Sequence, residues 1–226
     1  MIKKALPLLL ALAGLSSLAQ AQGTPAGDAA KGAGKAAMCI GCHGIVGYQA
    51  TFPELHKVPM ISGQGGKYIV TSLQAYAKGD RKHPTMRSIA GSLSEQDMAD
   101  LAAFYESHGK SAAPATAAPV QAPDALKDRL AACAACHGPN FNAPIDPGYP
   151  RLAGQHADYL AVALRSYHTD GNPMVGRSNP TMRGQVMQEA DGKKKMTFSR
   201  AEEKQIAAFI AALPGDLKVV PQSGRH

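Results

Sequence analysis

Cys39-Ile40-Gly41-Cys42-His43-Gly44 and Cys133-Ala134-Ala135-Cys136-His137-Gly138 are the two stretches from which the rest of this 226-residue sequence can be read. Each spaces two cysteines by two residues and follows the second at once with a histidine, and together they hold all four cysteines of the chain. Outward from them, Pro59, Gly63-Gln64, Tyr68, Leu73 and Tyr76 match Pro150, Gly154-Gln155, Tyr159, Leu164 and Tyr167 at a constant offset of 91. Arg81 and Pro84-Thr85-Met86-Arg87 match Arg177 and Pro180-Thr181-Met182-Arg183 at an offset of 96. Ala103-Phe104 returns as Ala208-Phe209. A whole functional unit has been duplicated, not a short stacking repeat.

The Cys-x-x-Cys-His spacing is a covalent haem-attachment signature. Two thiols one short turn apart can add to the two vinyl groups on one porphyrin edge, and the next imidazole then falls beneath the iron. Three other readings of the cysteines are weaker. A zinc site lacks a nearby fourth ligand of the usual paired spacing. A redox disulfide would sit in a βαβ setting that the pattern does not offer. Two structural disulfides would not need His43 and His137 in identical places. Two covalently bound haem c groups are therefore expected, on Cys39 and Cys42 and on Cys133 and Cys136.

Residues 1–21 read as an export leader. Lys3 and Lys4 precede the apolar stretch Ala5 to Leu18, and Ala19-Gln20-Ala21 is a small-residue cleavage site. That stretch is shorter than the roughly 18 apolar residues that span a bilayer, and no later segment qualifies. Gly109 to Pro123 is rich in Ala and Pro, nearly without charge, and suits an extended connector. The expected division is a leader at 1–21, a first domain at 22–108, a linker at 109–123 and a second domain at 124–226. With no Trp and 5% aromatics, each unit has little to fill a core, and small domains often need a cofactor to reach useful stability.

The formal charge of +7 includes the two leader lysines; without them 22 basic side chains stand against 17 acidic ones. The excess is mild in both halves, with no basic stripe or aromatic platform, so nucleic acid is not an expected partner. Lys193-Lys194-Lys195 reads as a solvated loop.

Each copy reads as helices joined by loops, and the fold class is all-α. Helical leads run from Asp28 to Met38 and from Asp124 to Ala132. Gln64 to Lys78 and Gln155 to His168 carry apolar and aromatic residues at helical spacing. Ser94 to His108 opens with a capping box in which Asp97 is the reciprocal residue, and Ser199 to Leu213 repeats the design.

For the second axial ligand the sequence offers Met86, 43 residues after His43, and Met182, 45 after His137. A methionine is usually core filler, but these recur in Pro-Thr-Met-Arg, a composition that reads as loop. Met174 and Met187 compete with Met182, which only the repeat favours. His83 competes with Met86, though its counterpart is Asn179. The histidines at 56, 108, 156, 168 and 226 have no repeated partner and suit surface or hydrogen-bonding roles.

On these residues the chain resembles the dihaem cytochrome c4 family, two fused class I cytochrome c domains. The likeness rests on both haem-attachment elements, Pro59 to Gln64 and Pro150 to Gln155, the Tyr-bearing helices and both Met stretches. It departs in a longer segment between His43 and Pro59 and in an insertion around Gln188 to Thr197. The resemblance implies that the Pro59 and Pro150 carbonyls accept the Nδ1 protons of His43 and His137. It also implies that Arg81 and Arg177 can neutralise propionates, with plain surface arginines the competing reading. His43, Met86, His137 and Met182 would be the iron ligands. The implied function is that of a periplasmic carrier of single electrons from a quinol-oxidising complex to a terminal oxidase or other acceptor. It would be a monomer, not an enzyme, and would meet those membrane complexes transiently. Two further classes stay open: a dihaem enzyme such as a thiosulfate dehydrogenase or peroxidase, and a fixed subunit of a larger dehydrogenase or oxidase.

Overall fold

The computed structural model describes residues 25–108, 119–190 and 192–221. The leader at 1–21, most of the 109–123 connector and His226 lie outside the described residues.

In the first half α1 (Ala29–Lys35) and α2 (Ala37–His43) are followed by α3 (Gly66–Lys78), α4 (Pro84–Gly91) and α5 (Glu95–Ser107). In the second half α6 (Lys127–His137) follows one 3-10 turn, and α7 (Ala157–Ser166), α8 (Pro180–Val186) and α9 (Arg200–Ala211) complete the set. The leads thus run on as helix through both Cys-x-x-Cys-His elements. Asp28 starts α1 by accepting from the N–H groups of Ala30 and Lys31 at 2.9 and 3.2 Å. Both expected capping boxes are present, Ser94 with Asp97 and Ser199 with Glu202. Each satisfies backbone donors that a helix start leaves open.

Each half closes on its own apolar cluster. Ala36, Ile69, Val70, Leu101, Ala102 and Tyr105 form the first; Leu126, Leu130, Phe141, Leu160, Ile206 and Ile210 are the larger members of the second. The amphipathic spacing of α3 and α5 puts Ile69, Val70, Leu101, Ala102 and Tyr105 on facing stripes, and that of α7 and α9 does so for Leu160, Ile206 and Ile210. α1 crosses α5 at Gly32, where a Cβ would lie 2.1 Å from the Asp100 carbonyl oxygen.

Six short strands interrupt the helices, in three two-stranded antiparallel pairs among the described residues. β1 (Gln49–Ala50) pairs with β2 (His56–Lys57) in the long segment after His43. β5 (Met187–Ala190) and β6 (Lys193–Met196) form a hairpin in the second-half insertion. Lys193, Lys194 and Lys195 are therefore strand rather than loop, though exposed; pairing with β5 supplies a ladder that their charge gave no hint of. β3 (Arg81–Lys82) pairs with β4 (Gly176–Arg177), one strand from each half. Asp80 extends that junction by accepting from the Ser178 N–H and hydroxyl, at 2.9 and 3.0 Å.

Candidate functional site

α2 and α6 each end in their Cys-x-x-Cys-His element. Residues three apart share a helix face, so both thiols of a pair look to the same wall and the histidine closes the last turn. All four cysteines are half-buried. Burial pushes the Cys39 and Cys133 thiols up before any thioether forms.

The two imidazoles are held alike. His43 Nδ1 donates to the Pro59 carbonyl at 2.7 Å, and His137 Nδ1 to the Pro150 carbonyl at 3.0 Å. A carbonyl only accepts, so the proton sits on Nδ1 and Nε2 keeps its lone pair. Burial pushes both rings below the usual histidine range. They are neutral, Nε2-presenting imidazoles, the form a metal takes.

Met86 and Met182 sit in the first turns of α4 and α8 rather than in loops. Proline explains the misreading: at the first helical position its ring presets φ and its missing N–H costs nothing. The residue before it is the cap. His83 Nδ1 accepts from the Met86 N–H at 3.5 Å, and Asn179 Oδ1 from the Met182 N–H at 3.0 Å. The unequal pair His83 and Asn179 thus performs one task in both copies.

All eight predicted site residues line one continuous cavity of about 640 Å³. Met174 and Met187 are not in its wall, and Met174 is 48% exposed. His56 is in the wall and buried, its Nδ1 donating to the Glu54 carbonyl at 2.7 Å; it serves as a hydrogen-bonding residue, not a surface one. His108 meets the Ser62 hydroxyl at 3.0 Å.

The walls fit a planar apolar group that carries carboxylates. Arg81 is half-buried, and its Nε is sealed from solvent with no hydrogen-bond partner. Its other nitrogens reach only neutral oxygens, on Tyr68 at 3.2 Å, Ser72 at 3.1 Å and Tyr159 at 2.7 Å. Arg177 donates to the same Tyr159 oxygen at 3.2 Å. Among the described residues no carboxylate pairs with either arginine, and a charge withdrawn from water without a counter-charge is costly. Burial alone would push the Tyr159 phenol up, yet Arg81 and Arg177 outweigh it and bring it down to about 8. Both guanidiniums also lie over tyrosine rings, Arg81 at 4.6 Å from the Tyr76 centroid and Arg177 at 5.5 Å from that of Tyr167. The surface-arginine reading of these two residues does not hold.

Two residues that the repeat displayed but sequence reasoning gave no task, Gln64 and Gln155, are buried and hydrogen-bond across the junction between the halves.

The family model of cytochrome c matches residues 29–109 and again residues 127–214. Cytochrome c4 of Azotobacter vinelandii is 36% identical over 197 residues, which cover 78% of this chain and 90% of that one. A protein of Stutzerimonas stutzeri named thiosulfate dehydrogenase electron acceptor is 31% identical over 185 residues, 73% of this chain and 84% of its own. Among solved structures, reduced recombinant cytochrome c4 from Pseudomonas stutzeri superimposes with a TM-score of 0.57 at 29% identity. That match covers 84% of this chain and all of the other.

Proposed function

The chain belongs to the cytochrome c4 family, two cytochrome c domains with two covalent haem c groups that carry electrons, and on that premise we propose how its residues do so and where. His43 and Met86 hold the first iron, His137 and Met182 the second, and the four cysteines carry the thioethers. The observation that carries this is the single cavity walled by both sets, with each imidazole fixed by a proline carbonyl. We take the boundaries as 22–108 and 124–226 with a linker at 109–123, a division that two separate matches, at 29–109 and 127–214, support.

When bound, haem iron supplies a one-electron ferric–ferrous couple, and thioether ligation opposite histidine raises its potential. The protein's own work is positioning. The Pro59 and Pro150 carbonyls hold ring orientation and ligand basicity. The arginine pair gives carboxylates a fixed charged anchor at the junction. A histidine and a methionine on each iron would leave no coordination position open to a substrate, so transfer would be outer-sphere and the chain a carrier.

The relatives support an electron carrier, and the leader read in the sequence supports a periplasmic one. The partners we assign, a quinol-oxidising complex and a terminal oxidase or another acceptor, rest on the family resemblance alone. No described helix is long and apolar enough to cross a membrane; the carrier is taken as a monomer that meets its partners transiently. The S. stutzeri relative, named as an electron acceptor, supports the carrier class over the dehydrogenase class. Carbon monoxide added to the reduced, haem-loaded protein tests the reading. Slow, partial binding at both centres is expected; rapid stoichiometric binding at one would favour a dihaem enzyme.

A further inference from the structure

The Pro59 carbonyl that orients His43 belongs to the peptide whose N–H is that of Met60. That N–H donates to Gln155 Oε1, in the other half, at 3.0 Å, while Gln155 Nε2 donates back to the Met60 carbonyl at 3.0 Å. The same arrangement runs the other way. The Pro150 carbonyl that orients His137 belongs to the peptide whose N–H is that of Arg151. That N–H donates to Gln64 Oε1 at 2.9 Å, and Gln64 Nε2 donates to the Arg151 carbonyl at 3.0 Å. Met60 and Arg151, like Gln64 and Gln155, are counterparts in the repeat, so the junction is reciprocal in the manner of a two-fold interface. Each glutamine oxygen also accepts from the N–H after it, Gly65 at 2.9 Å and His156 at 3.1 Å, which fixes its side chain at the start of α3 or α7. Both glutamines are buried, about 5% and 4% exposed.

We propose that Gln155 is a positioning and tuning residue for the first-half iron centre and Gln64 for the second-half one, each acting on the opposite half. The route is a chain of three polar groups: imidazole Nδ1–H to proline carbonyl, through the peptide, and N–H to glutamine oxygen. Hydrogen bonds in such a chain polarise one another in a low-dielectric interior. An acceptor on the N–H makes the carbonyl of that peptide more negative. It then draws harder on the Nδ1 proton, the imidazole becomes the stronger donor to iron, and the ferric state gains. Because the glutamine comes from the other half, each centre's potential depends on the two halves staying docked.

The proposal rests on His43 and His137 being iron ligands, and its test separates the two claims. In the oxidised, haem-loaded wild type, both Nδ1–H protons are expected as strongly hyperfine-shifted NMR resonances; their absence would overturn the ligand assignment and the proposal with it. With those resonances in place, Gln155→Leu is expected to shift the His43 proton and raise the midpoint potential of the first centre. Gln64→Leu is expected to do the same to His137 and the second centre. The centres are told apart by their ferrous Met ε-methyl signals, assigned with Met86→His and Met182→His. Gln155→Glu and Gln64→Glu keep an acceptor at the N–H, fold without the apolar replacement, and return each potential to the wild-type value or below it. A loosened junction alone would move both centres together in either Leu variant. That uniform response, a response confined to the glutamine's own half, or none at all, overturns the proposal.

Discussion

Arg81 and Arg177, the same residue in the two copies of the repeat, pair with each other. They are partners in the β3–β4 bridge, and both guanidiniums donate to the Tyr159 hydroxyl, at 2.7 and 3.2 Å. A residue that meets its own counterpart marks the axis about which two copies are related. The pair is not symmetric in its bonds, since Tyr68, the counterpart of Tyr159, receives Arg81 alone at 3.2 Å. Two like charges on such an axis repel, and an anionic group reaching the cavity both halves share would relieve that repulsion.

Removing one of these charges should therefore be felt at both irons. A positive charge nearby favours the ferrous state, which carries one positive charge fewer. At about 10 Å and an effective dielectric of about 20, a unit charge is worth about 1.7 kcal/mol. Arg81→Gln is expected to lower both midpoint potentials by tens of millivolts in a spectroelectrochemical titration. Potentials unchanged within error would show that no cofactor carboxylate or iron lies near this junction.

The methionine assignment is open to a direct comparison. Met182 lines the cavity, whereas Met174 is exposed and Met187 lies on strand β5 outside its wall. Met182→Ala is expected to remove half of the near-infrared sulfur-to-iron absorption and to lower the potential of one centre only. Met174→Ala and Met187→Ala should leave both properties as they were. Loss of the band in either of those two would move the ligand.

Two glycines on one helix should respond with opposite signs. Gly32 faces the Asp100 backbone, where a Cβ would come within 2.1 Å, while a Cβ on Gly34 meets nothing within 4 Å. Gly32→Ala forces α1 off α5 and is expected to cost about 1–3 kcal/mol, as overpacked cores do. Gly34→Ala, exposed in the last turn of α1, is expected to gain about 0.4–1 kcal/mol by restricting the unfolded chain. Urea unfolding midpoints compare them; a neutral Gly32→Ala would contradict the close crossing.

Acid should weaken the first half through Asp100. Its carboxylate is buried and accepts from Lys35 Nζ at 2.7 Å, the Asp28 N–H at 2.9 Å and the Gln96 amide at 2.8 Å. Hydrogen bonding from Lys35 first, then from Asp28, holds it down to about 2. Lys35 and Ser94 do the same for Asp97. A carboxyl lowered in the folded state binds fewer protons there than in the unfolded chain. Its contribution is fully present above the ordinary value of 3.8 and lost as the pH falls through about 2. Asp100→Asn is expected to be less stable at pH 7 and to lose stability less steeply between pH 4 and 2. Parallel slopes for the two proteins in that window would contradict it.

What the sequence made legible was whatever repeats or caps locally. The duplicated Cys-x-x-Cys-His elements, the four long helices and both capping boxes stand where periodicity and cap chemistry put them. Met86 and Met182 were read into loops because Pro and Thr look like turn residues until a cap at His83 or Asn179 makes them a first turn. The hairpin Met187–Met196 was hidden by its charge, and the burial of His56 by a segment whose contacts are made with the other half. Gln64 and Gln155 were visible as a repeated Gly-Gln, but their partners are 87 and 95 residues away in the chain. Only docking of one half on the other gives them a task.

Near-infrared magnetic circular dichroism of the oxidised, matured protein, scaled to protein concentration, tests the central claim most directly. Two methionine-to-ferric-haem bands of equal intensity per polypeptide are the expected result. Intensity for one centre only, or a band characteristic of two histidines on an iron, would contradict it.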